Sequence, residues 1–164
     1  MFRPMRRSRQ ALEEDTCREI LRRNTSGVLA VSGDDGYPYA VPLSYVLRDD
    51  TLFFHCAASG HKLDAIRRSD RVSFCVIDQD TVVPEKFTTL FRSVIVFGRA
   101  RVLEDAGERR EALEWLAEKY TPDDPEGRSR EVDGALGRVC LLAVRIEHMS
   151  GKQAIELLRR AGEA

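Results

Sequence analysis

Long hydrophobic runs are absent from this sequence. Its longest apolar segments are short, as at residues 139–144, whereas a membrane-spanning helix needs about 20 mostly apolar residues. The start of the chain also lacks the apolar core of a secretory signal, because Glu13, Glu14 and Asp15 follow its arginines. These absences predict a cytoplasmic protein that has no membrane partner.

Cysteine is scarce and widely spaced, and no Cys-x-x-Cys pair occurs. The four residues are Cys17, Cys56, Cys75 and Cys140. Such spacing argues against a dense disulfide framework. Cys75 and Cys140 lie inside apolar segments, where a free cysteine is expected to pack as a small hydrophobic residue. The side chains available for a metal site are His55, Cys56, His61 and Cys75. Their spacing matches no zinc pattern, so we predict no metal.

An excess of either charge sign is also missing, since 26 basic and 27 acidic residues give a net charge of -1. This balance provides no electrostatic reason to expect nucleic acid as a partner. Four arginines lie in residues 1–10 without interleaved aromatic side chains, so we interpret this segment as a solvated or partner-contacting arm. The chain length predicts a single domain over residues 1–164.

The elements predicted by hydrophobic periodicity are mostly short strands separated by turn residues. Strands are predicted at residues 27–32, 39–47, 52–56, 71–77, 94–103 and 139–146. Helices are predicted at residues 11–24, 63–69, 108–120 and 152–160, and loops at 83–93 and 121–128. Pro42 lacks a backbone donor, which predicts an edge, a bulge or a ligand-facing stretch for the second strand. The pattern favours a mostly antiparallel barrel with helices at its rim.

The segment from Phe54 to Lys62 is the most informative candidate site. Small residues at 57–60 allow a ligand to approach the backbone, and the helix that follows offers free N–H groups to an anion. His61 and Lys62 add donors at the same corner. The pattern fits a phosphate site and, equally well, a polar loop that caps a helix.

Two further histidine positions and one loop have open interpretations. His55 lies in the middle of a predicted strand, where its ring must face solvent, a ligand or a buried partner. His148 precedes a small-residue turn at 149–152, which also fits a simple helix start. Phe87 and Phe91 fit a pocket for a flat ring, the core or a dimer interface.

Residues 36–45, 55–62 and 91–100 together resemble the pyridoxamine 5′-phosphate oxidase-like superfamily. Within it the sequence is most similar to the nitroimidazole-resistance branch, which residues 147–152 also fit. The resemblance extends over nearly the whole chain, from about residue 3 to residue 158.

This resemblance implies a mostly β fold with flanking helices, namely a six-stranded antiparallel split β-barrel that forms a homodimer. Two FMN molecules would lie at the dimer interface. The implied FMN-binding residues are Val41, Pro42, Leu43 and Ser44 at the ring edge, His55, Cys56 and Ala57 along the ribityl chain and ring, Gly60, His61 and Lys62 at the phosphate, Arg92 and Ser93 reaching the flavin of the other subunit, and Met149 and Lys152 in the closing segment.

Two departures from the vitamin-B6 oxidases bear on the reaction. His61 replaces the arginine that precedes their phosphate-binding lysine, and their C-terminal substrate-binding tail is absent from residues 159–164. The oxidation of pyridoxamine phosphate is therefore disfavoured. A flavin without that tail would be open over its reactive face, which suits the reduction of diverse flat molecules.

Several functions remain as hypotheses. The first is an FMN-dependent oxidoreductase that passes electrons from NAD(P)H to a nitroaromatic, 5-nitroimidazole-like or quinone-like acceptor, with His55 as the catalytic residue. The second is a flavin- or haem-binding carrier or sensor, in which His55, His61 or His148 would ligate haem. A related oxidase with another substrate, a deazaflavin cofactor and a dimeric module without cofactor are further alternatives.

Overall fold

The computed structural model describes residues 1–161, with side chains up to residue 158. The strands are β1 (Ala11–Leu12), β2 (Ser26–Ser32), β3 (Pro38–Ser44), β4 (Val46–Arg48), β5 (Thr51–Ala57), β6 (Arg71–Val83), β7 (Thr88–Val102) and β8 (Val139–Gln153). The helices are α1 (Glu14–Arg23), α2 (His61–Arg68), α3 (Ala106–Tyr120), α4 (Pro125–Ala135) and α5 (Ile155–Ala161). No helix in this described part of the chain is long and apolar enough to span a bilayer.

The strands form one antiparallel sheet in the order β3-β2-β6-β7-β8-β5-β4, and β1 pairs with β8. The sheet curls around its core, because β3 and β4 lie at opposite ends of this order and yet are joined through Tyr45 alone. The predicted mostly β fold with flanking helices is confirmed. The predicted count of six strands is too low, because β1 and β4 are too short to show a period in the sequence.

The core inside the curled sheet follows from the alternation of the strands. Side chains alternate across a strand, and the inward residues of β5 and β6 include Phe54 and Phe74, both fully buried. Their rings pack edge to face at 5.1 Å, and Tyr45 packs against Phe74 at 4.9 Å. Each such aromatic side chain contributes roughly 1.5–3 kcal/mol through burial.

A second hydrophobic cluster lies outside the sheet, where α3 and α4 cover β5 and β8. Leu113 and Leu116 of α3 pack with Leu141 of β8, and Trp115 contacts Phe53 with ring centroids 5.0 Å apart. Residues 141–144 are all buried because the first half of β8 has core on both faces. This double burial explains the unbroken apolar run in the sequence.

The C-terminal end of α3 is fixed to the joint between β3 and β4. The Tyr120 hydroxyl accepts a hydrogen bond from the Tyr45 backbone N–H at 2.9 Å and donates to the carbonyl of Thr25. The Lys119 ammonium donates to the carbonyl of Asn24 at 2.6 Å and lies 4.2 Å from the centroid of the Tyr45 ring. Burial lowers the pKa of Lys119 to about 8.

A buried carboxylate joins α1 to the bulge in β6. The Asp78 side chain is 7% exposed and accepts hydrogen bonds from Arg23 at 2.6 and 2.9 Å and from Asn24 at 2.9 Å. Arg92 of β7 lies 3.5 Å away. Burial alone would raise the pKa of Asp78, but the hydrogen bonds from Arg23 and Asn24 and the charges of Arg23 and Arg92 hold it below its usual value.

The predicted loop at residues 83–93 is wrong. Strands β6 and β7 continue into it and meet at a short turn, Pro84–Lys86, followed by Phe87 in a left-handed conformation (φ 49°). This end of the hairpin contributes no residue to either core cluster, and most of its side chains are polar or exposed, with Leu90 as a buried exception. Its sequence therefore lacks the alternation by which a half-buried strand is recognised.

Three other boundaries differ from the sequence-based expectation. The expected turn at residues 149–152 is strand, and Gly151 is needed there because a Cβ atom would collide with the Cys17 sulfur. Helix α4 begins inside the expected loop at 121–128, since Pro125 lies in its first turn and Asp124 caps it. The strand expected at 39–47 is divided at Tyr45. The register between β7 and β8 also shifts, between Phe97 and Gly98.

The substitution Asp78→Asn is expected to lower the free energy of unfolding at neutral pH by about 1.5–3 kcal/mol, the usual contribution of hydrogen bonds to a charged group. Because the folded-state pKa of Asp78 is depressed, this contribution is complete above the unfolded-state pKa and is lost as pH falls through the folded-state pKa. Urea titrations at a series of pH values should show the stability gap shrinking below about pH 4.

The matched control is Asp123→Asn, since Asp123 is exposed and forms no ion pair among the described side chains. This variant should match the wild type throughout. A gap for Asp78→Asn that stays constant into the acid range would contradict the assignment.

The substitution Tyr120→Phe should cost about 1–3 kcal/mol of unfolding free energy, because it leaves the backbone N–H of Tyr45 without its acceptor. Urea denaturation measures the loss. Tyr37→Phe is the control, since the Tyr37 side chain is 75% exposed and is expected to tolerate the change. Equal stabilities for the two variants would show that Tyr120 does not hold α3 in place.

Candidate functional site

Strand β3 has a free edge, because it pairs with β2 alone and ends the strand order. Pro42 lies on this edge strand, as its missing donor predicted. Along β3, Val41 and Leu43 pack against the core, whereas Pro42 and Ser44 are exposed. The unpaired side of the β3 backbone offers hydrogen-bonding groups to a ligand.

Strand β5 presents His55 and Ala57 on its outward face. Phe54 and Cys56 are buried on the inward face, so His55 points away from the core. His55 and Ser44 line the same cavity. The chain thus brings the outward residues of β3 and β5 together at the opening of the sheet.

The start of α2 contacts the first residues of β3, at the other end of that strand from Ser44. Gly60 precedes the helix with φ 131°, a conformation that favours glycine, and no atom lies near the place of its missing side chain. The His61 ring stacks on Tyr39 of β3 at 4.2 Å, and its Nε2 atom is buried without a hydrogen-bond partner. Asp34 lies 3.5 Å from that atom.

Positive charge at this corner comes from Lys62, which is half-buried and forms no ion pair among the described side chains. Burial raises the pKa of the Cys56 thiol to about 11, although the charge of Lys62 acts in the opposite direction. The Lys62 ammonium is therefore close to the end of β5 and available to an anion.

A cavity of about 240 Å³ lies between His55 and the two helices that cover β5 and β8. Its wall is mainly apolar, with Glu131 of α4 as its one carboxylate. The lining residues are Ser44, His55, Leu113, Leu116, Ala117, Tyr120, Glu131, Val132, Ala135 and Val139. No lysine or arginine lines it, so its surroundings are unsuited to a phosphate group.

Four of the predicted cofactor residues lie on β7 and β8, away from the residues described above. Ser93 and Lys152 are directly opposite each other on β7 and β8. Lys152 lies 5.3 Å from the Phe91 ring, and Arg92 contacts Asp78. Met149 packs against the core. Among the described side chains, none of the four forms a hydrogen bond or ion pair with His55, His61 or Lys62.

Several residues of the opening had not been identified from the sequence. Tyr39 stacks on His61, and Glu131 contributes the carboxylate of the cavity. Helix α3 was predicted, but its partner α4 was not, so the cavity between them could not be anticipated. Cys75 and Cys140 are half-buried, less than the core packing expected of them.

The alternation of β5 also bears on metal binding. His55 and Cys56 are adjacent in sequence but face opposite sides of the strand, so they cannot bind one ion together. Over the described residues, no three His, Cys, Asp or Glu side chains are arranged to hold a metal ion.

Comparison with known proteins gives one family and many related structures. Residues 13–153 match the family model described as pyridoxamine 5′-phosphate oxidase. No curated protein sequence matches the chain. An FAD-binding protein of Mesorhizobium loti is 28% identical with a TM-score of 0.64, over 88% of this chain and 97% of that one.

Two further solved structures share the fold at lower identity. A candidate 5-nitroimidazole antibiotic resistance protein of Bacteroides thetaiotaomicron is 23% identical with a TM-score of 0.74, over 87% of this chain and 86% of that one. A flavocytochrome of Azotobacter vinelandii is 19% identical with a TM-score of 0.76, over 92% and 72%. Because the family match covers most of the chain, this protein belongs to the pyridoxamine 5′-phosphate oxidase family.

Proposed function

We propose that this protein is an FMN-dependent oxidoreductase that reduces flat aromatic acceptors, nitroaromatic or quinone-like, with electrons from NAD(P)H. The observation that carries the proposal is the position of β3, which has a free edge, contacts the start of α2 through Tyr39 and His61, and shares a cavity with the outward face of β5 through Ser44 and His55. The FAD-binding protein of Mesorhizobium loti shares this fold.

The opening suits FMN at both of its ends. The unpaired backbone of residues 41–44 can bond the polar edge of a flavin ring. At the other end Gly60 leaves space, and Lys62 supplies a positive charge for the phosphate. When bound, FMN would supply the electron transfer, while the protein supplies position and electrostatics.

The apolar cavity beside His55 supports an aromatic acceptor rather than a phosphorylated vitamin. Its leucine and alanine side chains favour a flat, uncharged ring, and Glu131 would repel an anion. His55 is the polar group that reaches the cavity from the strand, so it can donate a proton to a reduced acceptor or hold it in place.

The outward face of β2, β6 and β7 supports a homodimer. Val28, Cys75 and Ile95 lie side by side across the three strands, and Ile77 and Phe97 extend this apolar surface. Ile77 is 63% exposed and Ile95 is 40% exposed in the single chain. Ser93 lies directly opposite Ile77 of this surface, and the family resemblance implies that Arg92 and Ser93 reach the flavin of the other subunit.

The substitution Lys62→Ala should weaken FMN binding by about 1.5–3 kcal/mol, the contribution of a charge-assisted hydrogen bond. Riboflavin, which lacks the phosphate, should bind both proteins equally. Fluorescence titration of each ligand measures the effect, and Lys86→Ala, at an exposed position in the β6–β7 turn, is the control. Equal losses of affinity for FMN and riboflavin would show that Lys62 supports the folding of this segment and does not bind the phosphate.

The substitution His55→Gln should reduce the turnover of a nitroaromatic with NAD(P)H by at least about tenfold, because glutamine keeps the hydrogen bonding but cannot transfer a proton at neutral pH. Flavin content should stay normal. His148→Gln is the matched histidine control. Unchanged turnover in His55→Gln with full flavin content would assign the proton source to water.

Light scattering at micromolar concentration should give about twice the chain mass of 18.6 kDa. The substitution Ile95→Glu introduces a charge into the apolar face and should produce monomers, whereas Tyr37→Ser, on an exposed turn, should not. A wild-type monomer that binds FMN tightly would contradict a site shared between subunits.

A further inference from the structure

Two of the four cysteines face each other across neighbouring strands. Cys56 of β5 and Cys140 of β8 are directly opposite in the antiparallel register; Cys56 belongs to the core inside the curled sheet, and the half-buried Cys140 packs against that core. Directly opposed residues have Cα atoms about 4.5–5.5 Å apart. This separation lies within the range of about 4.4–6.8 Å that a disulfide bond spans.

The two thiols differ in their exposure. Cys56 is 8% exposed, whereas Cys140 is half-buried and points its S–H toward the carbonyl of Leu141 at 3.9 Å. Burial raises the pKa of the Cys56 thiol, and the adjacent Cys140 thiol adds to the rise. Cys140 is therefore the thiol that a small oxidant reaches first, and the buried Cys56 lies beside it as the second thiol of the pair.

We propose that Cys56 and Cys140 are a peroxide-sensitive pair that forms a reversible disulfide between β5 and β8. In the first step the O–O bond of hydrogen peroxide breaks, Cys140 becomes a sulfenic acid and one water leaves. In the second step the Cys56 sulfur attacks the Cys140 sulfur, the S–O bond breaks, and the hydroxide takes the Cys56 proton as a second water. Two thiols are oxidised and one peroxide is reduced.

The position of this pair gives the disulfide a structural consequence. Cys56 lies between His55 and Ala57, the outward residues of β5, so the bond would tie the strand end at the opening to β8. The inference concerns the thiols alone and holds whether or not the opening binds FMN. Cys17 and Cys75 have no such opposed cysteine, since Cys75 faces Val28 and Ile95.

Mass analysis of peroxide-treated native protein tests the proposal. Trypsin releases each cysteine in a separate peptide, so the link can be read directly from a digest made without reduction. The expected product is the Cys56–Cys140 linked peptide, lighter than the two thiols by two hydrogens and removed by dithiothreitol. The variant Cys17→Ser/Cys75→Ser should form the link as the wild type does.

Two single variants keep the test decisive. In Cys56→Ser, Cys140 should stop at the sulfenic acid, which dimedone traps. In Cys140→Ser, Cys56 should stay unmodified. If Cys56→Ser impairs folding because Cys56 is buried, the Cys140→Ser variant alone tests the proposal. Oxidation of Cys140 to sulfinic acid in the wild type without any link, or no oxidation of either residue, would overturn the proposal.

Discussion

Tyr45 holds the joint at which the sheet closes on itself. Its ring is fully buried against Phe74, and its hydroxyl donates to the carbonyl of Leu21 at 2.7 Å, which ties the end of α1 to the core. Burial raises the pKa of this hydroxyl well above its usual value, so it remains a donor. The backbone N–H of Tyr45 is bonded to Tyr120, which fixes α3 at the same point.

The candidate site is a consequence of this joint. The chain must leave β3 at Tyr45 and enter β4 at the other end of the sheet, so one edge of β3 stays unpaired. The anchored α3 and its partner α4 then form a wall beside His55, and the cavity lies between them. If β3 paired with β5, the backbone groups at the free edge of β3 would be bonded to that strand and unavailable to the proposed flavin.

Much of the fold could be predicted from the sequence because alternation and turn residues are clear wherever a strand has one buried face. The position of Pro42 on an edge strand and the outward direction of His55 followed from those rules. The β6–β7 extension could not be predicted because its paired strands lie beyond the core and lack an apolar alternation. Helix α4 could not be predicted because it is held by packing against α3 rather than marked by a local apolar period. The cavity could not be predicted from the sequence either, because it exists only where α3 and α4 meet β5.

The most direct test of the central claim is the absorption spectrum of the purified protein combined with mass analysis of its released ligand. The account predicts a yellow protein with flavin bands that releases FMN, or a colourless one that acquires those bands when FMN is added. A sharp Soret band from haem, or a folded protein that takes up no flavin, would contradict it.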